Sequence, residues 1–170
     1  TYFLRAHIAG FYRKGKNMID WVKEKPEDIW ESQNLTKVDN LGFETNLSLL
    51  PRELGNERFF IRKIELGYAF IHQDKDSEGY ISNYALDYLK HKFTAQLSHS
   101  IWKGFSATWY VRWQDRAGSY TKYENLKPAY EEPYAPYCLV DMKVNWEYQR
   151  LNLYAELNNL LNSTYYDLGN

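Results

Sequence analysis

Four histidines, one cysteine and a short acidic run are the groups in this 170-residue chain with the best claim to chemistry at neutral pH. His7, His72, His91 and His99 have no spacing that sets two imidazoles on one helical face, and no nucleophile adjoins them. Hydrolases and metalloenzymes need such a constellation, so the sequence assigns no catalytic residue, no metal ligand and no cofactor. Cys138 stands alone, without a disulfide partner and without the neighbours of a zinc site. It keeps phase with an apolar face, as a packed or lipid-facing thiol does. Asp74-Lys75-Asp76-Ser77-Glu78-Gly79 copies the opening of a calcium loop, with carboxylates at positions one, three and five and glycine at six. The bidentate acid expected at position twelve is Ala85, so a solvated acidic loop is the better reading.

Recognition chemistry is better represented. Residues 118–136 hold Tyr120, Tyr123, Tyr130 and Tyr134 among Lys122, Lys127, Glu124, Glu131 and Glu132, and residues 73–86 add Tyr80 and Tyr84. Aromatic side chains with few rotors make low-entropy contact surfaces, and loops on a rigid scaffold commonly carry recognition. Tyr84, Tyr120 and Tyr123 are the candidate ligand-binding residues. The competing reading puts these rings in an interfacial belt or at loop-to-strand junctions. It is the stronger one for Tyr134 and stands level for Tyr120 and Tyr123.

The elements that would carry these loops show a two-residue alternation. Between Phe105 and Arg116, Phe105, Ala107, Trp109, Val111 and Trp113 leave one face, and Ser106, Thr108, Tyr110, Arg112, Gln114 and Arg116 leave the other. The same period runs through residues 41–49, 60–70, 89–101, 138–148 and 151–157, with His91 and His99 as exceptions on an apolar face. Seven strands are expected, over residues 2–22, 30–50, 59–72, 88–101, 105–117, 137–148 and 151–161. The fold class is therefore all-β, with antiparallel up-and-down strands. Trp109, Val111, Phe93, Leu97, Val144 and Leu153 should share the dry face, and Arg112, Lys92, Lys143 and Glu156 the wet one.

Composition and connection lengths point to a membrane. The chain carries 16 tyrosines and 6 tryptophans, rings that gather where an apolar phase meets water. A net charge of −1 gives no case for nucleic acid as a partner. No apolar run of about 18 residues could form a spanning helix, but a closed barrel crosses a bilayer with strands. Connections alternate between short (51–58, 102–104, 149–150) and long (23–29, 73–86, 117–136), as in outer-membrane barrels with one rim of turns and one of loops. That order requires residues 2–22 to be one strand with an irregularity at Lys14-Gly15-Lys16; a hairpin turn there would break it. Seven strands leave two unpaired edges, so further chain is expected on both sides.

Several segments carry a resemblance. Gly10-Phe11-Tyr12-Arg13 through Asn17-Met18-Ile19-Asp20-Trp21-Val22, then Asn34-Leu35, Val38 and Leu41-Gly42-Phe43-Glu44, resemble late barrel strands of TonB-dependent outer-membrane receptors. The resemblance is in particular to cobalamin-receptor-like members of the Bacteroidetes type. Tyr154-Ala155-Glu156-Leu157-Asn158-Asn159-Leu160-Leu161-Asn162, followed by Tyr165-Tyr166-Asp167, resembles the family's penultimate strand and its Asn-Leu-(Phe or Leu)-(Asp or Asn)-x-x-Tyr signature. The resemblance implies that residues 1–170 are an incomplete, C-terminal segment of a 22-stranded transmembrane β-barrel, lacking the plug domain and the final strand. It further implies the outer membrane of a Gram-negative bacterium, outer-membrane lipid as a partner, TonB as a partner through the absent plug, and a large scarce nutrient such as cobalamin or a ferric siderophore as ligand. The alternative class is a soluble or adhesion-type β-sheet module recognising carbohydrate or a protein partner.

Overall fold

Alternating apolar and polar side chains with few helix-favouring runs yield an all-strand chain. The computed structural model describes residues 3–25, 28–54, 59–76, 79–82, 88–124 and 127–166. Its strands are β1 (Leu4–Lys23), β2 (Glu31–Leu49), β3 (Ile61–Asp76), β4 (Ile81–Ser82), β5 (Leu89–Trp102), β6 (Phe105–Arg116), β7 (Ser119–Glu124), β8 (Lys127–Pro133), β9 (Tyr137–Tyr148) and β10 (Leu151–Leu157). An eight-stranded sheet runs in the order β10-β9-β6-β5-β3-β2-β1-β4, and β7 with β8 forms a separate two-stranded ribbon. Every pairing is antiparallel. Among the described residues no helix is long and apolar enough to cross a membrane. The 12 residues of β6 and the 14 of β5 exceed the roughly 9–11 that a tilted strand needs to span a bilayer.

Register joins the separate alternations into one surface. Ile64 lies opposite Leu97, Leu97 opposite Trp109, Trp109 opposite Met142, and Met142 opposite Leu157. Leu49 and Leu4 extend the row toward β1, and Ala6, Leu47 and Leu66 lie in the neighbouring row on the same face. The other face carries Arg5, Ser48, Glu65, Gln96, Tyr110 and Asp141 in the same register, with Lys143 paired to Glu156 at 2.8 Å. One residue of slip would move every apolar side chain to the polar side, so the apolar row fixes the pairing.

The apolar face has no second layer against it. Ile8 is 77% exposed, Leu41 55% and Leu153 51%. Buried apolar residues among those described reduce to Val22, Val38, Pro51, Ala107, Tyr134, Tyr137 and Leu139. A water-soluble protein rarely leaves an apolar patch beyond a few hundred Å² uncovered, since each Å² in water costs on the order of 25 cal/mol. The polar face is the concave one. A recess of about 640 Å³ lies against it, lined from six strands by residues including Arg5, His7, Asn46, Glu65, Thr94 and Arg112. A sheet curved with its polar face inward and its apolar face outward suits a wall between lipid and water.

The irregularity expected near Gly15 is a bulge. β1 continues through it, with register shifts between Gly15 and Met18 and between Met18 and Ile19, and the left-handed backbone falls on Asn17 (φ 55°) rather than on the glycine. A second irregularity opens β3, where the register shifts between Ile61 and Lys63 and frees Arg62 from strict alternation. Arg62 Nε and Arg52 Nη2 both donate to Ser100 Oγ, at 2.9 and 2.8 Å, and Arg52 Nε donates to the Phe59 carbonyl at 2.9 Å. These bonds tie the 3-10 turn Pro51–Leu54 to the end of β5.

Strand limits depart from the sequence expectation in three places. β3 runs to Asp76 instead of residue 72, because its ladder with β2 continues past the apolar alternation to Lys37. β10 stops at Leu157 instead of residue 161, where Asn159 enters a left-handed turn (φ 51°). The segment expected to be a loop, 117–136, holds the β7–β8 ribbon, and Ile81–Ser82 of the other long connection pairs with Val22 and Lys23 of β1. Pro128 and Pro133, with no dry face between them, disguise the ribbon as a loop, since proline is tolerated only on an edge strand.

Gly42 is a close-approach position. It lies opposite Phe11 on the polar face, and a Cβ there would sit 2.5 Å from Phe11 Cζ and 2.6 Å from the Phe70 carbonyl oxygen. Gly42→Ala is expected to cost about 1–3 kcal/mol as an overpacking substitution. Urea unfolding of the full-length receptor in vesicles reads this; an unchanged midpoint would show that the ring yields freely.

Candidate functional site

The long connections emerge at one end of the sheet and the short turns at the other. β6 delivers Ser119–Glu124 to the long-loop rim and β9 begins at Tyr137, so the β7–β8 ribbon stands above the wall between them. Its Tyr120 ring stacks on Tyr166 at 4.4 Å between centroids and tilts against Tyr134 at 5.7 Å. Tyr137 stacks on Tyr165 at 4.6 Å and donates its hydroxyl to buried Gln114 Oε1 at 2.6 Å. Arg116 lies over Tyr134, 5.9 Å from the ring centroid. Five tyrosines from three parts of the chain thus form one cluster at the rim.

Charge organises the same ribbon. Tyr120 Oη donates to Glu132 Oε2 at 3.0 Å, and Lys122 Nζ reaches the same oxygen at 3.0 Å while lying over the Tyr130 ring. Glu132 is held below the usual carboxylate range, first by Lys122 and then by Tyr120. A depressed folded-state pKa means that this contact contributes above the ordinary carboxylate pKa and is lost as pH falls through the lower folded value. Lys122 is held well above its usual range, chiefly by Glu132 and then by Tyr130. The Tyr120 phenol is pushed up by desolvation and by its bond to Glu132, so its hydroxyl remains a donor at neutral pH.

Of the three candidate ligand-binding residues, Tyr120 is half-buried at the centre of this cluster. Tyr123 lies in β7 opposite Pro128, with its side chain outside the described part. Tyr84 lies outside the described residues. The sequence reading did not single out Glu132, Tyr165 or Tyr166 as members of a rim cluster. The ring spacing in 118–136 was a usable signal for the first, but the other two required knowing that the chain turns after β10.

The histidines stay apart. His91 Nδ1 bonds with Tyr68 Oη at 2.8 Å and its ring packs on Phe70 at 5.0 Å, while His99 Nε2 accepts from Trp109 Nε1 at 3.1 Å. Each exception on the apolar face therefore has a polar partner, which offsets its cost there. Asp74 and Asp76 lie in β3, opposite Asp39 and Lys37. Ser77 and Glu78 of the acidic run lie outside the described residues. Among the described residues no group of three or more acidic, histidine or cysteine side chains could hold a metal ion.

The rim assignment has a direct check. In a Cys138→Ser background of the full-length receptor, Lys122→Cys should react on intact cells with a membrane-impermeant maleimide, and Lys103→Cys, in the short β5–β6 turn, should not. Comparable labelling at the two positions would overturn the assignment of long loops to the cell exterior.

A one-layer curved sheet, apolar outside and polar inside, with turns at one rim and long hairpins at the other, is the wall of an outer-membrane β-barrel. The chain belongs to the family described as TonB dependent receptor-like, beta-barrel, whose model matches residues 2–160. As a stretch of such a barrel it belongs in the Gram-negative outer membrane. A similar solved structure is that of the FrpB iron transporter from Neisseria meningitidis (F3-3 variant), with a TM-score of 0.65, 14% identity, and coverage of 96% of this chain and 25% of that one. The chain thus spans about a quarter of that transporter's length. No curated protein matches the sequence.

Proposed function

We propose that residues 1–170 form the C-terminal part of a 22-stranded barrel, short of its final strand, in a receptor that takes up a large scarce nutrient with energy delivered through TonB. The observation that carries this reading is the uncovered apolar face above a concave polar one, in a chain of the TonB-dependent receptor family. Every residue of β10 is exposed, and an edge of unpaired backbone groups cannot face lipid. Further strands of the same barrel are the natural partners of that edge. TonB works through a plug domain in this reading, and the concave face gives such a plug a polar wall.

The ligand is cobalamin or a ferric siderophore, met first by the outer loops. The resemblance of the first strands to cobalamin receptors of the Bacteroidetes type favours the former. FrpB, the solved neighbour, is an iron transporter and favours the latter. Titration of the full-length receptor in detergent with cobalamin and with ferric siderophores, together with uptake in cells with and without TonB, decides between them. Saturable binding of one ligand and TonB-dependent uptake of it are expected. Uptake that persists without TonB, or binding of neither ligand, would contradict the proposal.

A further inference from the structure

We propose that the turn at residues 159–162 is a brace that fixes the β7–β8 ribbon above the barrel wall, with Asn159 and Tyr166 as its positioning residues. This rests on the reading of the ribbon as part of the capture surface. β10 pairs with β9 only as far as Leu157, opposite Met142. Asn159 and Asn162 then take left-handed backbone (φ 51° and 50°), a conformation that costs most L-residues about 1–2 kcal/mol and that asparagine tolerates best after glycine.

What holds the turn is a set of local bonds. Asn159 N–H donates to Asp141 Oδ1 at 2.7 Å, and Leu160 N–H donates to the Val140 carbonyl at 2.8 Å. The Asn159 side chain bonds Ser163 twice, donating Nδ2–H to its carbonyl at 3.0 Å and accepting its N–H at 2.9 Å. Ser163 Oγ donates to the Cys138 carbonyl at 2.7 Å. The chain is thereby set back against the first residues of β9, and its next two rings land on Tyr137 and Tyr120. A straight continuation of the β10 ladder would present residues 165 and 166 at other positions and faces, because one residue of slip reverses every side chain.

The consequence follows from topology. β7 and β8 form their own sheet, outside the eight-stranded ladder. Among the described contacts, the Tyr166 ring on Tyr120 is a bridge from that ribbon to the segment that follows β10. Two rings stacked at 4.4 Å with an interplanar angle of 18° resist displacement. Residues 159–166, the Asn-Leu-Leu-Asn-x-x-Tyr stretch and the tyrosine after it, thus link barrel wall to outer loop.

Trypsin added to intact cells producing the full-length receptor tests the brace, with cleavage after Lys122 mapped by mass spectrometry and folded barrel scored by heat-modifiable migration. Tyr166→Ala and Asn159→Ala should speed cleavage roughly fivefold, the order expected when an aromatic contact no longer opposes local opening. The folded band should be unchanged, and Tyr166→Phe, which keeps the ring, should match the wild type. Unchanged cleavage in Tyr166→Ala and Asn159→Ala overturns the brace. Ligand titration on the same variants separates the two readings: faster cleavage with weaker binding supports both, and faster cleavage with unaltered affinity keeps the brace and removes the ribbon from the capture surface.

Discussion

Val111→Arg in the full-length receptor is expected to destabilise the barrel by about 2–4 kcal/mol, the cost of a cationic side chain on the lipid face near the bilayer midplane. Val111 lies midway along β6, between Ala95 of β5 and Val140 of β9, inside the apolar row that runs across the sheet. A guanidinium placed in lipid there must snorkel or thin the bilayer. Thr108→Arg, three residues away, points to the polar side, where Thr108 bonds Ser98 at 3.1 Å and faces Lys143. Its cost should be far smaller, since water fills that side. Unfolding midpoints in vesicles measure both, and equal losses would mean that the strand faces are assigned wrongly.

The second large effect concerns binding. Tyr120→Ala combined with Tyr123→Ala should weaken ligand binding roughly 30-fold or more, the scale of an interface hot spot. Folded receptor in the membrane should not fall, because the β7–β8 ribbon lies outside the eight-stranded ladder. Tyr120→Phe discriminates between the roles of its ring. It keeps the stack on Tyr166 and loses only the bond to Glu132, so binding close to wild type would place the ring, and not the hydroxyl, at the contact. Unchanged affinity in the double alanine variant would leave both tyrosines as loop-packing residues.

Legibility in the sequence followed the strength of the physical constraint. Phe105, Ala107, Trp109, Val111 and Trp113 announce β6 because lipid on one side and water on the other force a period of two, and the register then joins them to Leu97 and Met142. The bulge in β1 was readable as an irregularity near Gly15, but the residue that takes the left-handed backbone, Asn17, was not, since a short polar run leaves several choices open. The β7–β8 ribbon was hidden because neither of its faces is dry, and two prolines argue against a strand. Tyr120 was singled out by residue type and loop length. Its partner Tyr166 lies 46 positions further on, and only the turn at Asn159, a tertiary feature, brings the two rings together.

The wall assignment is tested most directly by scanning nitroxide labels along residues 105–116 of the full-length receptor in vesicles and recording collision rates with oxygen, which dissolves in lipid, and with a water-soluble nickel chelate. The expected result is a two-residue period, with labels at Ala107, Trp109, Val111 and Trp113 favouring oxygen and those at Thr108, Tyr110 and Arg112 favouring nickel. A flat profile, or the same period with the phases exchanged, would contradict an outward apolar face and with it the barrel wall.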